Sequence, residues 1–394
     1  MTSPQTIIDN LAPVLAEIAA TAAQREQDRE FSRDLAKQLS AGGFTKLRIP
    51  IEFGGLGFSL PEAFEVLVAV AAADSNIAQG LRPHFLAVES LLIAPDSEHR
   101  TKWLRKIVEE GVVIGNALTE VGNKPGELKT KIRKDGEAFV LSGTKFYSTG
   151  SLYADWIQVH AKDEEDQDVF AFVDRDASGV VLVDDWDGFG QKLTASGTTT
   201  FKDLEVDPRW IIPRTDAPTL VWTYLQLNLL TVLVGSAAAA VDEVVARAQS
   251  STRNAWNPGV ERRSDPAATI AIGDARSRVT VIRGALLDAT RHVSNAATIA
   301  TPDAFNEADA IVAALWPIVS EQALVVTSTV FDAVGASAVL GEHSIDRHWR
   351  NVRTVSSNNP LFLAKNAVGE YALNGTPVGT NIGKALSRPV SLSS

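Results

Sequence analysis

The chain has 394 residues, 45% of them hydrophobic and 22% charged, a formal net charge of −11 and no cysteine. That balance describes a folded protein long enough for two or three domains. The acidity argues against nucleic acid as a partner, which needs a basic face. The missing cysteines exclude disulfides, thiolate metal sites and cysteine nucleophiles. Met1 to Gln5 lacks the basic and apolar segments of a secretion signal. The most apolar run, Leu225 to Ala240, is broken by Gln226, Asn228, Thr231 and Ser236. It reads as a buried bundle helix, too short to span a bilayer. The expected setting is cytoplasmic, with no membrane partner.

Apolar residues at three-to-four spacing predict helices over Ile7 to Arg25 and Glu30 to Ala41. The glycine-rich loop Ile49 to Gly57 follows. Ser59-Leu60-Pro61-Glu62 then has the form of a capping box opening a helix through Ala73. Helices over Asn76 to Leu92 and Ser97 to Glu110 complete an N-terminal helical domain, residues 1–111. From Val112 to Ile212 the pattern changes to short β-branched runs: Val112 to Ile114, Ala138 to Ser142, Trp156 to His160, Val169 to Val173 and Thr198 to Phe201. Lys134-Asp135-Gly136-Glu137 reads as a hairpin turn. The spacing predicts an antiparallel barrel or sandwich over residues 112–213 rather than a dinucleotide-binding unit. Long helical patterns return over Thr219 to Thr252, Ala267 to Asn295, Pro302 to Val334 and Leu361 to Asn374. They predict a C-terminal four-helix bundle domain, residues 214–394. The fold class is mainly α with a central β domain.

No Gly-x-Gly-x-x-Gly after a strand, P-loop, His-Glu-x-x-His or Gly-x-Ser-x-Gly is present. His343 and His348 are five apart, which does not place them on one helical face, so no metal is expected. The most conspicuous stretch is Asp346-Arg347-His348-Trp349-Arg350-Asn351-Val352-Arg353, ending in Ser356-Ser357-Asn358-Asn359-Pro360. As bare sequence its arginines fit either an anion site or subunit salt bridges, and Trp349 fits a core position.

In order, four segments resemble motifs of the acyl-CoA dehydrogenase superfamily: Pro50 to Gly57, Leu141 to Gly150, Gly188 to Lys192 with Phe201 to Val206, and the Arg347 to Pro360 stretch. The resemblance implies that superfamily's fold: a helical domain, a β domain and a four-helix bundle, assembled as a homotetramer. Dehydrogenation of an acyl thioester needs a carboxylate base, which an amide cannot replace. The two positions where the family keeps that base fall at Asn359 and near Asn228, leaving only Glu342 or Glu370 as shifted substitutes.

The Asp346 to Asn351 run with Asn359-Pro360, Gly115-Asn116-Ala117, and Ser251 to Trp256 resemble the two-component flavin monooxygenases related to dibenzothiophene and alkylsulfone monooxygenases. That resemblance implies reduced FMN delivered by a separate NAD(P)H-flavin reductase, reaction with O2 to a C4a-hydroperoxyflavin, and oxygenation of a small, apolar substrate, with sulfur-containing molecules among the candidates. FAD is the lesser expectation. By the same resemblance His84 serves as peroxide partner or proton relay, with Asn116, Ser148 and Asn358 as further catalytic residues. Asn116, Ser148, Thr149, Arg253, Arg347 and Asn359 are implied to hold the cofactor. Asn358 stands where related sulfur monooxygenases often carry histidine, and an amide delivers no proton at neutral pH. His84 fits equally a histidine satisfied at a helix start, Arg253 a solvated arginine. An acyl-CoA dehydrogenase using FAD and a catalytically silent flavin-binding homologue are the competing readings.

Overall fold

Side-chain caps set the starts of the first helices. In the computed structural model, which describes residues 2–123, 127–213, 220–251, 254 and 257–378, Ser3 caps α1 (Pro4–Asp28) and Ser32 caps α2 (Arg33–Ala41). The Ser59 amide and hydroxyl both donate to Glu62, 2.8 and 2.6 Å away, at the start of α3 (Leu60–Ala73). Asp74 caps α4 (Ser75–Ile93), and Ser97 caps α5 (Glu98–Glu110). Such caps satisfy first-turn amides that have no partner within the helix.

The middle of the chain forms one eight-stranded sheet: β1 (Ile114–Ala117), β2 (Lys131–Asp135), β3 (Ala138–Lys145), β4 (Trp156–Lys162), β5 (Asp168–Asp174), β6 (Val180–Leu182), β7 (Thr199–Val206) and β8 (Ile211–Pro213). Its order is β6-β7-β3-β2-β4-β5-β8, with β1 beside β4. Asp135 pairs with Ala138 across the expected hairpin turn, where Gly136 has φ 62°. The sheet is mixed, however, not purely antiparallel. β1 runs parallel to β4, Ile114 opposite Trp156, because β1 enters from a helix and not from a hairpin.

Five helices follow: α6 (Val221–Ser250), α7 (Pro266–Ile299), α8 (Pro302–Thr329), α9 (Asp346–Ser356) and α10 (Leu361–Asn374). One apolar core runs through α1, α3 and α4 into α6, α7 and α8, so the two helical regions share an interior although the sheet separates them in sequence. Gly235 of α6 lies against the backbone of α3 at Ala71 and Ala72, where a Cβ would collide. The sheet has its own core around Ile157, Val159 and Phe201. Trp103 joins α5 to it, packed on Trp156, Phe172 and Trp210.

The expectation that the apolar run at Leu225 is too short for a membrane needs correcting. α6 is long and apolar enough to cross one, as are the helices at Pro4–Asp28 and Pro302–Ala333. Two thirds of the most apolar α6 window (67%) is buried within the protein, because neighbouring helices surround it.

Candidate active site

α4 and β1 meet edge to edge, and the loop after β3 closes over the junction. Gly80 and Pro83 of α4 pack on Gly150, whose φ of 80° and lack of a Cβ let the loop approach the Gly80 carbonyl. The Asn116 amide donates to the Thr149 carbonyl at 3.1 Å, fixing β1 to this loop. Thr149 Oγ1 lies 3.0 Å from Ser196 Oγ, which lies 2.8 Å from Thr194 Oγ1. Tyr147, Gln191 and Ala195 take positive φ (59°, 53° and 53°), a strained conformation for non-glycine residues that concentrates around functional loops.

His84, Asn116, Ser148 and Thr149 are thus brought together. His84 takes a different part from the proton relay that the resemblance implied. Its Nδ1 accepts from the Ile114 amide at 3.3 Å and its Nε2 donates to the Thr45 carbonyl at 2.8 Å. Both nitrogens are engaged with backbone, and burial pulls its pKa down to about 4, so the ring is neutral and locked. Asn116 Oδ1 and Ser148 Oγ, by contrast, are buried with no hydrogen-bond partner. Gln191 Oε1, near Thr194 on the neighbouring loop, is also without a partner. Enclosed orphan atoms call for a buried water or a ligand atom. An acceptor at Asn116 and a hydroxyl at Ser148 suit the alternating N–H and C=O edge of an isoalloxazine. The residues present therefore fit a flavin.

Lys145, in the Gly143-Thr144-Lys145 motif, is fully buried and pairs with Glu120 at 2.9 Å. Burial pushes Glu120 up, but the Thr130 hydroxyl, the Lys129 amide and Lys145 outweigh it and hold the carboxyl at about 2. This pair pins the loop after β1 to β3.

The arginine-rich helix α9 is also occupied from within. Arg347 Nη2 lies 2.7 Å from Glu243 of α6, and His348 Nε2 lies 3.0 Å from the same oxygen. Burial holds His348 neutral, so it donates while Arg347 supplies the charge. These two outweigh the burial that pushes Glu243 up, leaving it at about 2. Arg350 binds Glu26, Asp346 and the Phe189 carbonyl. Arg347 is thus an intrachain ion-pair residue in this structure, not a free cofactor clamp. Trp349 is not core; it stacks on exposed Phe189. Asn358 is exposed in the turn after α9, its amide bonded to the Val355 carbonyl. Arg253 lies outside the described residues.

Asn359 faces a separate cleft between α6, α8 and α10, lined by Trp222, Gln226, Asp309 and Trp316 among others. Its Nδ2 donates to Gln226 Oε1 at 2.8 Å, and its carbonyl accepts from Trp316 Nε1 at 3.1 Å. Asn228 turns to the Tyr224 carbonyl on another side of α6. Neither amide can act as a base. Asp309, which sequence reading passed over, does line this cleft. Burial raises its pKa, and the Thr223 hydroxyl is its hydrogen-bond partner. A carboxylate flanked by Ala308 and Ala310 on an apolar helix was the available signal.

Three successive family models match the chain: the N-terminal domain (residues 11–111), middle domain (116–204) and C-terminal domain (228–359) of acyl-CoA dehydrogenase. The chain belongs to the acyl-CoA dehydrogenase family. Within that family it is 27% identical over 380 residues to dibenzothiophene monooxygenase of Rhodococcus erythropolis, covering 90% of each chain. It is 24% identical over 385 residues to the probable FMNH2-dependent monooxygenase SfnC of Pseudomonas putida, covering 95% of this chain and 96% of that one. The structure of methanesulfinate monooxygenase MsuC from Pseudomonas fluorescens superposes with a TM-score of 0.84 at 26% identity, over 96% of this chain and 98% of that one. The acyl-CoA dehydrogenase fold here thus carries monooxygenase relatives along its whole length, with amides at the positions of the dehydrogenase base.

Proposed function

We propose that this protein is a flavin-dependent monooxygenase that uses FMN, delivered reduced by a separate reductase, and O2 to oxygenate a small sulfur-containing molecule. The observation that carries this reading is the set of enclosed, unpartnered polar atoms at Asn116 and Ser148, in a chain with amides at the two positions where a dehydrogenase needs an acid. Similarity to an FMNH2-dependent monooxygenase and to two monooxygenases named for sulfur compounds supports it. Reduced FMN, when bound, supplies the two electrons that divide O2 between an oxygenated product and water.

The chain's own residues bind, orient and exclude water. Asn116 and Ser148 would hold the flavin ring, and Thr149 with Ser196 and Thr194 keeps their loop in place. His84 fixes β1 through Ile114 and so positions Asn116; in our reading it acts through geometry and not by proton transfer. Keeping water from the junction suppresses wasteful release of hydrogen peroxide. A homotetramer and a cytoplasmic setting belong to the same proposal, supported by the family resemblance.

The test is to load the protein with FMN, reduce it anaerobically and admit O2 with a thioether or sulfinate. The expected result is stoichiometric oxygenated product with little hydrogen peroxide. Asp309 favours one competing reading, an acyl-CoA dehydrogenase with its base on α8. Anaerobic bleaching of the bound flavin by an acyl-CoA, abolished in Asp309→Asn, would establish that reading and overturn ours.

A further inference from the structure

Asp309 is a partly buried carboxylate with no cation beside it among the described residues. Other carboxylates sunk among the helices are neutralised: Asp74 by Arg25 at 2.6 Å, Glu26 by Arg350 at 2.6 Å, Glu89 by Arg48 at 2.6 Å and Glu243 by Arg347 at 2.7 Å. Asp309 accepts only the Thr223 hydroxyl, from the first turn of α6. The three helices around it supply no free positive charge. α8 has no basic residue, Lys365 of α10 is taken by Glu321 at 2.7 Å, and Arg247 of α6 by Glu243 at 3.2 Å. Burial raises the Asp309 pKa, and no cation opposes it. A carboxylate withdrawn from water without a counter-charge is destabilising, and its retention needs a reason.

The cleft that Asp309 lines supplies one. Trp222 of α6 and Trp316 of α8 line the same space, and Val312, Leu363 and Val378 add apolar wall. The Trp316 indole N–H is fixed on the Asn359 carbonyl at 3.1 Å, while Trp222 remains 40% exposed and so open to a ligand. Gln226 Oε1 accepts from Asn359 at 2.8 Å, but Gln226 Nε2 is enclosed without a partner. That donor calls for a water or a ligand atom, an independent sign that the cleft is built to be filled. An acid and two indoles around one space are the combination that holds an ammonium group. The carboxylate accepts its N–H bonds and balances its charge, and the negative ring faces attract it as well.

We propose that the cleft between α6, α8 and α10 binds a small organic cation, a protonated amine with an apolar body, whose ammonium group rests on Asp309. The site is independent of the flavin reading, since its lining shares no residue with the α4–β1 junction. The apolar body lies against Val312, Leu363 and the tryptophans, which gives the site a preference for amines over inorganic cations.

The experiment is calorimetric titration of the full-length protein at neutral pH, with and without saturating FMN, using benzylamine, benzyl alcohol and benzoate. Benzylamine should bind at least about tenfold more tightly than benzyl alcohol, as expected for a charged hydrogen-bonded contact, and benzoate should not bind. Asp309→Asn keeps the side-chain shape and an acceptor for Thr223, and should bring benzylamine down to the level of the alcohol. It should not lower the melting temperature, since an uncompensated charge is gone. Trp222→Leu should weaken benzylamine about threefold. The proposal is overturned if wild type does not prefer the amine to the alcohol, or if Asp309→Asn keeps that preference. Displacement of benzylamine by FMN would also overturn it, because that puts the flavin in this cleft. So would binding that appears only after residues 379–394 are removed, which makes the chain's own Lys384 or Arg388 the missing cation. Failure of wild type to bind FMN sinks the monooxygenase reading and leaves this one standing.

Discussion

α9 and the α4–β1 junction hold polar side chains in opposite states. In α9, Arg347, His348 and Arg350 all find partners within the chain, on Glu243, Glu26 and Asp346. At the junction, Asn116 and Ser148 are buried with atoms left unpaired. The difference separates a cluster that holds the fold from one that awaits a ligand. Composition cannot make that distinction, because it depends on where the carboxylates end up.

The contrast can be broken by removing paired and unpaired groups in turn. Lys145→Met, which strands the buried Glu120 carboxylate, should cost roughly 4 kcal/mol in urea unfolding. A loss below about 1 kcal/mol would show that the pair is not structural. Glu243→Ala should cost about 3 kcal/mol for the same reason and leave FMN affinity intact. The Glu243 pKa is depressed to about 2, so its contribution is full above the unfolded value near 4.3 and is lost as pH falls toward 2. Acid unfolding of wild type and variant should therefore converge across that window.

His84→Gln should cost roughly 2 kcal/mol by disturbing the Thr45 and Ile114 backbone bonds. His84 is also depressed, to about 4, so wild type is stabilised above pH 6.5 and loses roughly 3 kcal/mol as pH falls from there to 4. The Gln variant should lack that slope. If the variant folds normally yet releases hydrogen peroxide in place of product, His84 is more than a positioning residue. Asn116→Ala and Ser148→Ala should each weaken FMN about tenfold in fluorescence titration, with stability changed by less than about 1 kcal/mol. A large stability loss without an affinity change would move them to the structural class. Arg353→Ala, at an exposed site without an ion pair to any described residue, should change stability by less than about 0.5 kcal/mol.

The Ser59-Leu60-Pro61-Glu62 box, the hairpin at Gly136 and the long bundle helices were legible because each depends on residues within a few positions. The parallel placing of β1 was not, since it depends on α4 holding that strand through His84. The site was half legible. Asn116, Ser148 and Thr149 were named from motif resemblance and do meet. Asp309 carries no motif and was passed over, and Arg347 drew attention for a charge that Glu243 satisfies from 104 positions away.

By itself the sequence determined the helix–sheet–helix order and the amides at 228 and 359 that deny a dehydrogenase its base there. Periodicity, capping and the acidity of a side chain are local properties. Only the tertiary structure decided which polar groups are spent on one another and which remain available. Pairing and burial are set by contacts between distant segments, and burial is what turns the unpartnered atoms of Asn116 and Ser148 from ordinary polar groups into candidate ligand contacts.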